Sequence, residues 1–254
     1  MVRLTEERFI DTVLEIGSQM LLCGGEVYRA EEAVTRILKA YGAASVEMFV
    51  VSTCIIVTVT DKQGGYITKT KNVHGHETDL DKLDRLNSMC RVICNIRPSR
   101  AEVERYFHQI LQYKTYPGWL KNIVYLIISA AFSMFFGGSA RDAAVSAVLG
   151  LLLMALLKIC KKLDVNSLFS IALSSYICGL LAQGAMRLGL GEHLDSIIIG
   201  NIMLIIPGLA FTNAARDMIG GDIMSGMLRL MDAALTAVAV SVGFAFAVRF
   251  GWGM

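Results

Sequence analysis

Residues 196–215 read Ser-Ile-Ile-Ile-Gly-Asn-Ile-Met-Leu-Ile-Ile-Pro-Gly-Leu-Ala-Phe-Thr-Asn-Ala-Ala, 20 consecutive positions without a charge and with Pro207-Gly208 just past the middle. A helix needs about 20 apolar residues to cross a bilayer. Four more uncharged runs lie in the same half of the chain: Asn122–Ala140, Ala143–Leu157, Val165–Met186 and Ala233–Val248, of 19, 15, 22 and 16 residues. The two shorter runs reach across if Lys158 and Arg249 snorkel or if neighbouring helices shield the ends. Five such runs leave no amphipathic helices to form the wet exterior of a soluble helical protein.

Composition agrees. The 254 residues are 54% hydrophobic and 18% charged, with a mean hydropathy of +0.53, where soluble domains carry about 25% charge. This excludes a disordered chain and a disulfide-rich mini-protein. A net charge of +2 gives no reason to expect a nucleic-acid partner. Residues 1–121 hold 16 of the 24 basic and 15 of the 22 acidic side chains. The expected fold is therefore an α-helical integral membrane protein, with a small α+β cytoplasmic domain (1–117) before a transmembrane domain (118–254). About five helices are expected, near 120–138, 143–160, 165–187, 195–213 and 231–250.

The first eight residues, Met1-Val2-Arg3-Leu4-Thr5-Glu6-Glu7-Arg8, are amphipathic and lack the basic-then-apolar pattern of a secretory signal. Lys114, Lys121, Lys158, Lys161, Lys162, Arg216 and Arg229 fall on one side of the predicted spans, and Arg141, Arg187 and Arg249 on the other. The positive-inside rule then expects the N-terminus in the cytoplasm and the C-terminus outside.

In the leading part, Phe9, Val13, Ile16 and Met20 recur at helical spacing, as do Ala30, Val34, Ile37 and Leu38. Gly24-Gly25 separates these two helices. Val46–Val51, Cys54–Thr60 and Tyr66–Thr70 are strand-like, with Asp61-Lys62-Gln63-Gly64-Gly65 as a hairpin turn. Leu80, Leu83, Leu86, Cys90 and Ile93 form a helical stripe, and Ser99 with Glu102 has the spacing of a capping box. Cys90 and Cys94 lack the two further ligands of a zinc site and read as small buried residues. His74-Gly75-His76-Glu77 carries a partial set of metal ligands in a loop. Nucleophile–base pairs and phosphate-binding loops are absent, so no catalytic residue, metal site or cofactor is expected.

The polar residues beside the membrane runs carry more information. Proline removes a backbone donor and frees the carbonyl of Met203, a defect tolerated in lipid only against protein or water. Asn213, Arg216, Asp217, Gly221, Asp222, Ser225 and Arg229 follow. The segment reads either as a broken-helix element lining a pathway or as a cytoplasmic loop with an amphipathic turn. Gly138, Arg141 and Asp142 suggest a second gate, because Ala-Arg-Asp occurs at 140–142 and again at 215–217. Small residues run along the last span in two stripes, Ala233, Ala237, Ser241 and Ala245, and Ala239, Gly243 and Ala247. Such stripes suit close helix packing and imply a second subunit or self-association.

On these residues the chain resembles the threonine/serine exporter family, in particular the N-terminal-half subunit of its split bacterial form. The carriers are Gly25-Glu26-Val27-Tyr28-Arg29-Ala30-Glu31-Glu32, the strand pair around Ser52-Thr53-Cys54-Ile55-Ile56-Val57, Gly137-Gly138-Ser139 with Asp142, and the series from Pro207 to Arg229. Ser52 departs from the pattern, which has proline there. The resemblance implies inner-membrane export of threonine and serine, or of a dicarboxylate such as succinate, driven by the proton gradient. It also implies a small membrane partner resembling the C-terminal half of the exporter. Arg216 and Arg229 would then attract the substrate carboxylate, Pro207-Gly208 would expose backbone groups to it, and Asp217 or Asp222 would exchange the proton. Two rivals remain open at this point. An intramembrane serine protease would need Ser225 and His193 on one side of the membrane, and the expected topology separates them. A membrane-anchored metabolite sensor would bind without flux.

Overall fold

A computed structural model describes residues 2–75, 78–113 and 116–251. His76 and Glu77 of the partial metal set, and Lys114 of the charge bias, lie outside the described residues. The elements run α1 (Val2–Leu22), α2 (Val27–Ala40), β1 (Ser45–Val51), β2 (Cys54–Thr60), β3 (Tyr66–Asn72), α3 (Leu80–Ile96), α4 (Arg100–Gln112), α5 (Gly118–Phe135), α6 (Ala140–Lys162), α7 (Ser167–Arg187), α8 (Leu194–Ile202), α9 (Gly208–Ile219) and α10 (Ile223–Phe250). They group into two units. One holds residues 1–115 and 209–231, the other 116–208 and 232–254. The first unit thus includes α9 and the opening turns of α10, which the expected division at 117/118 assigned to the membrane part.

In the first unit, the strands form an antiparallel meander in the order β1-β2-β3. Val51 opposes Cys54 across a two-residue turn, Ser52-Thr53. Alternation puts Met48, Val50, Ile55, Val57, Val59 and Ile67 on one face, where they pack with the helices. That core centres on Val13, Ile16 and Met20 of α1, Val34 and Ile37 of α2, and Leu86 and Ile93 of α3, all fully buried. Lys69 and Lys71 of β3 pair with Asp11 and Glu15 of α1. The Asp61 carboxylate shapes the β2–β3 turn by accepting the amides of Gln63 and Gly65 at 2.8 and 2.9 Å. The expected capping box at Ser99 and Glu102 opens α4.

The second unit is built on four helices long and apolar enough to cross a membrane: α5, α6, α7 and α10. Large apolar side chains point outward from them. Ile127, Phe135, Val148, Phe169, Val238 and Phe246 are each more than half exposed, an arrangement that lipid tolerates and water does not. Inside, Leu153, Cys178, Ile197, Val240 and Phe244 share one core. The run expected as a single span near 195–213 is two helices. α8 ends at Ile202 and α9 begins at Gly208, with Leu204 and Ile205 turning through bonds to Asn201 and Ile202. Pro207 supplies the reason, because its ring and missing N–H cannot continue an α-helix.

Helices approach closely where side chains are small. A Cβ added to Gly200 of α8 would lie 2.6 Å from the Ser146 hydroxyl and 2.7 Å from the Ser129 carbonyl. One added to Gly179 of α7 would lie 2.6 Å from Ala247 of α10, while nothing lies within 4 Å of the same position at Gly184. Gly200→Ala is therefore expected to cost about 1–3 kcal/mol through overpacking, and Gly184→Ala to be neutral or slightly stabilising. Thermal unfolding of the two variants in detergent tests this; equal midpoints would mean the α8 contact yields freely.

Candidate functional site

The turn joining α1 to α2 is set by glycines. Gly24 has φ +90°, and a Cβ on Gly25 would meet the Met20 carbonyl oxygen at 2.6 Å. The turn leaves the Gly24 and Gly25 carbonyls and the Val27 amide without helical partners, as every helix end must. Residues of α9 and α10 satisfy them. Asn213 Nδ2 donates to the Gly24 carbonyl at 2.9 Å, Arg229 Nη2 donates to the Gly25 carbonyl at 2.6 Å, and the Val27 amide donates to Asp217 Oδ1 at 3.4 Å. Arg229 Nε stands 3.2 Å from Asp217 Oδ2, a close charge contact without hydrogen-bond alignment. Glu26 receives the guanidinium of Arg216 on one oxygen and lies 2.5 Å from Arg29 Nε through the other. Glu26, Asp217 and Arg229 are buried, whereas the Arg216 and Arg29 side chains reach solvent.

Burial acts on both carboxylates, with opposite outcomes. For Glu26, desolvation pushes upward, but the bond from Arg216 and the charge of Arg29 outweigh it and hold the group below the usual range. For Asp217, desolvation wins over Arg229 and the Val27 amide, and the carboxyl sits above its usual range. The cluster therefore pairs a firmly ionised acid with one that accepts a proton more readily.

The remaining predicted residues divide. Gly221, at φ +99°, and the Asp222 amide close the end of α9 by donating to the Met218 and Asp217 carbonyls. Ser225 is buried, and Gly226 lets α10 meet α9, since a Cβ there would touch Met218 and the Ala214 carbonyl. Asp222 lines a cleft of about 310 Å³ with Glu31 and the outer half of β1. There burial, then the Asp222 charge, raises the Glu31 carboxyl. Pro207 lies in the break before α9 and Gly208 opens that helix, so neither belongs to the charge cluster.

The proposed second gate has the same grammar in the second unit. Ser139 and Asp142 form a capping box at the start of α6. Asp142, fully buried, accepts the amides of Glu192 and His193 on Oδ1 at 2.6 and 3.0 Å, and the Ser139 amide and His193 Nδ1 on Oδ2 at 2.8 and 2.9 Å. Arg141 pairs with Glu192 at 3.2 Å. The two Ala-Arg-Asp triplets thus act alike: the aspartate takes amides of a loop entering another helix, and the arginine takes that loop's glutamate. Asp142, Glu192 and His193 have the proximity of a metal cluster, but four hydrogen bonds already occupy both Asp142 oxygens. Gly138 packs against the Ser133 carbonyl and Ser196.

Sequence reading missed three things. Glu26 is the counter-ion of Arg216, though it stands in the stretch that carries the family resemblance. A buried polar seam joins Ser129 and Ser146, whose hydroxyls lie 2.8 Å apart, to Asn201, whose amide donates to Ser146 Oγ at 3.2 Å. Its signal was present as serines facing Gly150 and Gly200 in otherwise apolar runs. The recurrent aspartate clasp was visible only as a repeated triplet.

Helices of lipid-crossing length and composition mark a multi-pass membrane protein. The chain belongs to the threonine/serine exporter family: the family model described as "Putative threonine/serine exporter" matches residues 11–251. Among its relatives is "Probable succinate transporter subunit YjjP" of Klebsiella aerogenes, 23% identical over 98% of this chain and 96% of the relative. The protein of the same name from Escherichia coli is 24% identical over 95% and 93%. "Probable threonine/serine exporter" of Mycobacterium tuberculosis is 20% identical over 95% of this chain and 46% of its own length. No solved structure matches.

Arg229→Ala strands the buried Asp217 carboxylate and the Gly25 carbonyl, and should destabilise the chain by about 3–5 kcal/mol, measured as a lowered unfolding midpoint at neutral pH. The bond to Asp142 raises the His193 value above its ordinary 6.5, against the opposing effect of burial. A raised base stabilises the fold fully below that ordinary value and loses its contribution as pH climbs through the folded one. The unfolding midpoint should therefore decline as pH rises above the ordinary histidine value, and His193→Gln should remove that part of the decline.

Proposed function

We propose that this chain is one subunit of an inner-membrane exporter of small polar acids, threonine and serine or a dicarboxylate such as succinate, coupled to the proton gradient. Family membership over almost the whole chain carries this reading. The coverage of relatives supports a second subunit. The chain spans nearly all of two proteins named as transporter subunits, but less than half of the mycobacterial exporter, so the other half is expected from a separate small membrane protein. Ala237, Ser241 and Ala245 lie on α10 at helical spacing, and Ser241 and Ala245 are exposed, which suits close contact with a neighbouring helix. The N-terminus faces the cytoplasm.

Within this reading the acid–arginine cluster handles substrate and proton. Arg216, exposed while paired with Glu26, is the guanidinium that an incoming carboxylate reaches, exchanging one carboxylate partner for another. Asp217 is the preferred proton carrier: buried, raised by desolvation, and touching the arginine whose pairing its protonation would weaken. Asp222 is the second candidate, beside Glu31.

Efflux from cells or vesicles that contain the chain and its partner subunit tests this. Asp217→Asn should lose the dependence of efflux on the proton gradient while the protein still inserts. Arg216→Ala should lower apparent substrate affinity about tenfold or more, the worth of one charge-assisted bond. If Asp217→Asn and Asp222→Asn both export at the parental rate at every pH, the proton assignment is wrong.

A further inference from the structure

We propose that the groove between α2 and α3 binds a small carboxylate metabolite; it adjoins the Glu26–Arg216–Asp217–Arg229 cluster through Arg29, which lines the groove and pairs with Glu26. The groove encloses about 590 Å³, within the range of small-molecule sites. Its walls are two polar stripes at matching helical spacing. α2 presents Arg29, Glu32 and Arg36, and α3 presents Asp84, Asn87 and Arg91. Ala33 and Cys90 form the floor, and their small side chains leave the space open.

Three guanidiniums line this one groove against two carboxylates. Arg36 is paired with Glu32 at 2.6 Å and Arg29 with Glu26 at 2.5 Å. Arg91, by contrast, bonds only the Ser88 hydroxyl, at 3.0 Å, among the described residues. No side-chain bond joins the two walls among the described residues. Helices that met only for packing would bring apolar side chains together here, whereas these keep uncommitted charge and amide groups facing an opening. A guanidinium beside a neutral amide matches the planar fork of a carboxylate. Asp84, which has no ion-pair partner among the described residues, stands where it would accept an ammonium group. The shared chemistry is a carboxylate, carried by either a dicarboxylic acid or an amino acid.

Cys94 lines the same groove and is partly buried, which makes it a reporter. The full-length chain in detergent is treated with N-ethylmaleimide, and the rate at each cysteine is read by peptide mass spectrometry. Succinate or threonine should slow modification of Cys94 and leave Cys54 and Cys160 unchanged. Protection by succinate alone assigns a dicarboxylate, and by threonine alone an amino acid. Arg91→Ala should raise the half-protecting concentration about tenfold, as expected for one charge-assisted bond, and Arg91→Lys should raise it less. The proposal is overturned if neither compound protects Cys94, if inorganic phosphate protects equally, or if protection is unchanged in Arg91→Ala. No transport is measured, so the outcome is independent of the export reading.

Discussion

A carboxylate shut away from water must be given donors, and this requirement organises both units. The cost of leaving an ionised acid bare in a protein interior is several kcal/mol. Asp142 meets it with three backbone amides and an imidazole. Asp217 meets it with one amide and an arginine, and less completely, since one of its oxygens has no aligned hydrogen bond. Asp142 is held mainly by backbone amides of the 192–193 loop and of its own helix cap. Asp217 depends on a single amide and on one arginine side chain.

The two clasps also explain why sequence-distant segments meet. In each, an Ala-Arg-Asp triplet near a helix grips the loop that opens another helix, and a glutamate of that loop answers the arginine. Glu26 and Arg216 are 190 positions apart, yet they repeat the pairing that Glu192 makes with Arg141. Buried ion pairs add little net stability compared with apolar packing, but they penalise every arrangement that leaves one partner alone. Here they specify which loop belongs against which helix.

Much of the architecture was legible because charge is costly in lipid and helices have a fixed rise. The uncharged runs marked α5, α6, α7 and α10, and the period of two around Val57 marked the sheet. Pro207 announced a break, although the run containing it looked like one span, since hydropathy carries no record of a missing amide. The polar positions from Asn213 to Arg229 could be nominated from their rarity beside apolar runs. Their partners could not, because the Gly24 and Gly25 carbonyls belong to the backbone and are the same for any residue. The Ser129–Ser146–Asn201 seam was hidden for a related reason: a serine in a membrane helix reads the same whether it bonds its own turn or a neighbour.

The final helix, α10, runs 28 residues without interruption. At 1.5 Å per residue it is about 42 Å long, whereas the hydrocarbon of a bilayer is about 30 Å thick. Some eight residues, roughly two turns, are surplus to any upright crossing. Arg229 is the seventh residue of the helix. A guanidinium at that position can therefore stay clear of the oily slab altogether, tethered to a rod whose far end is sunk in it. The overhang spares the protein the expense of dragging a cation into fat.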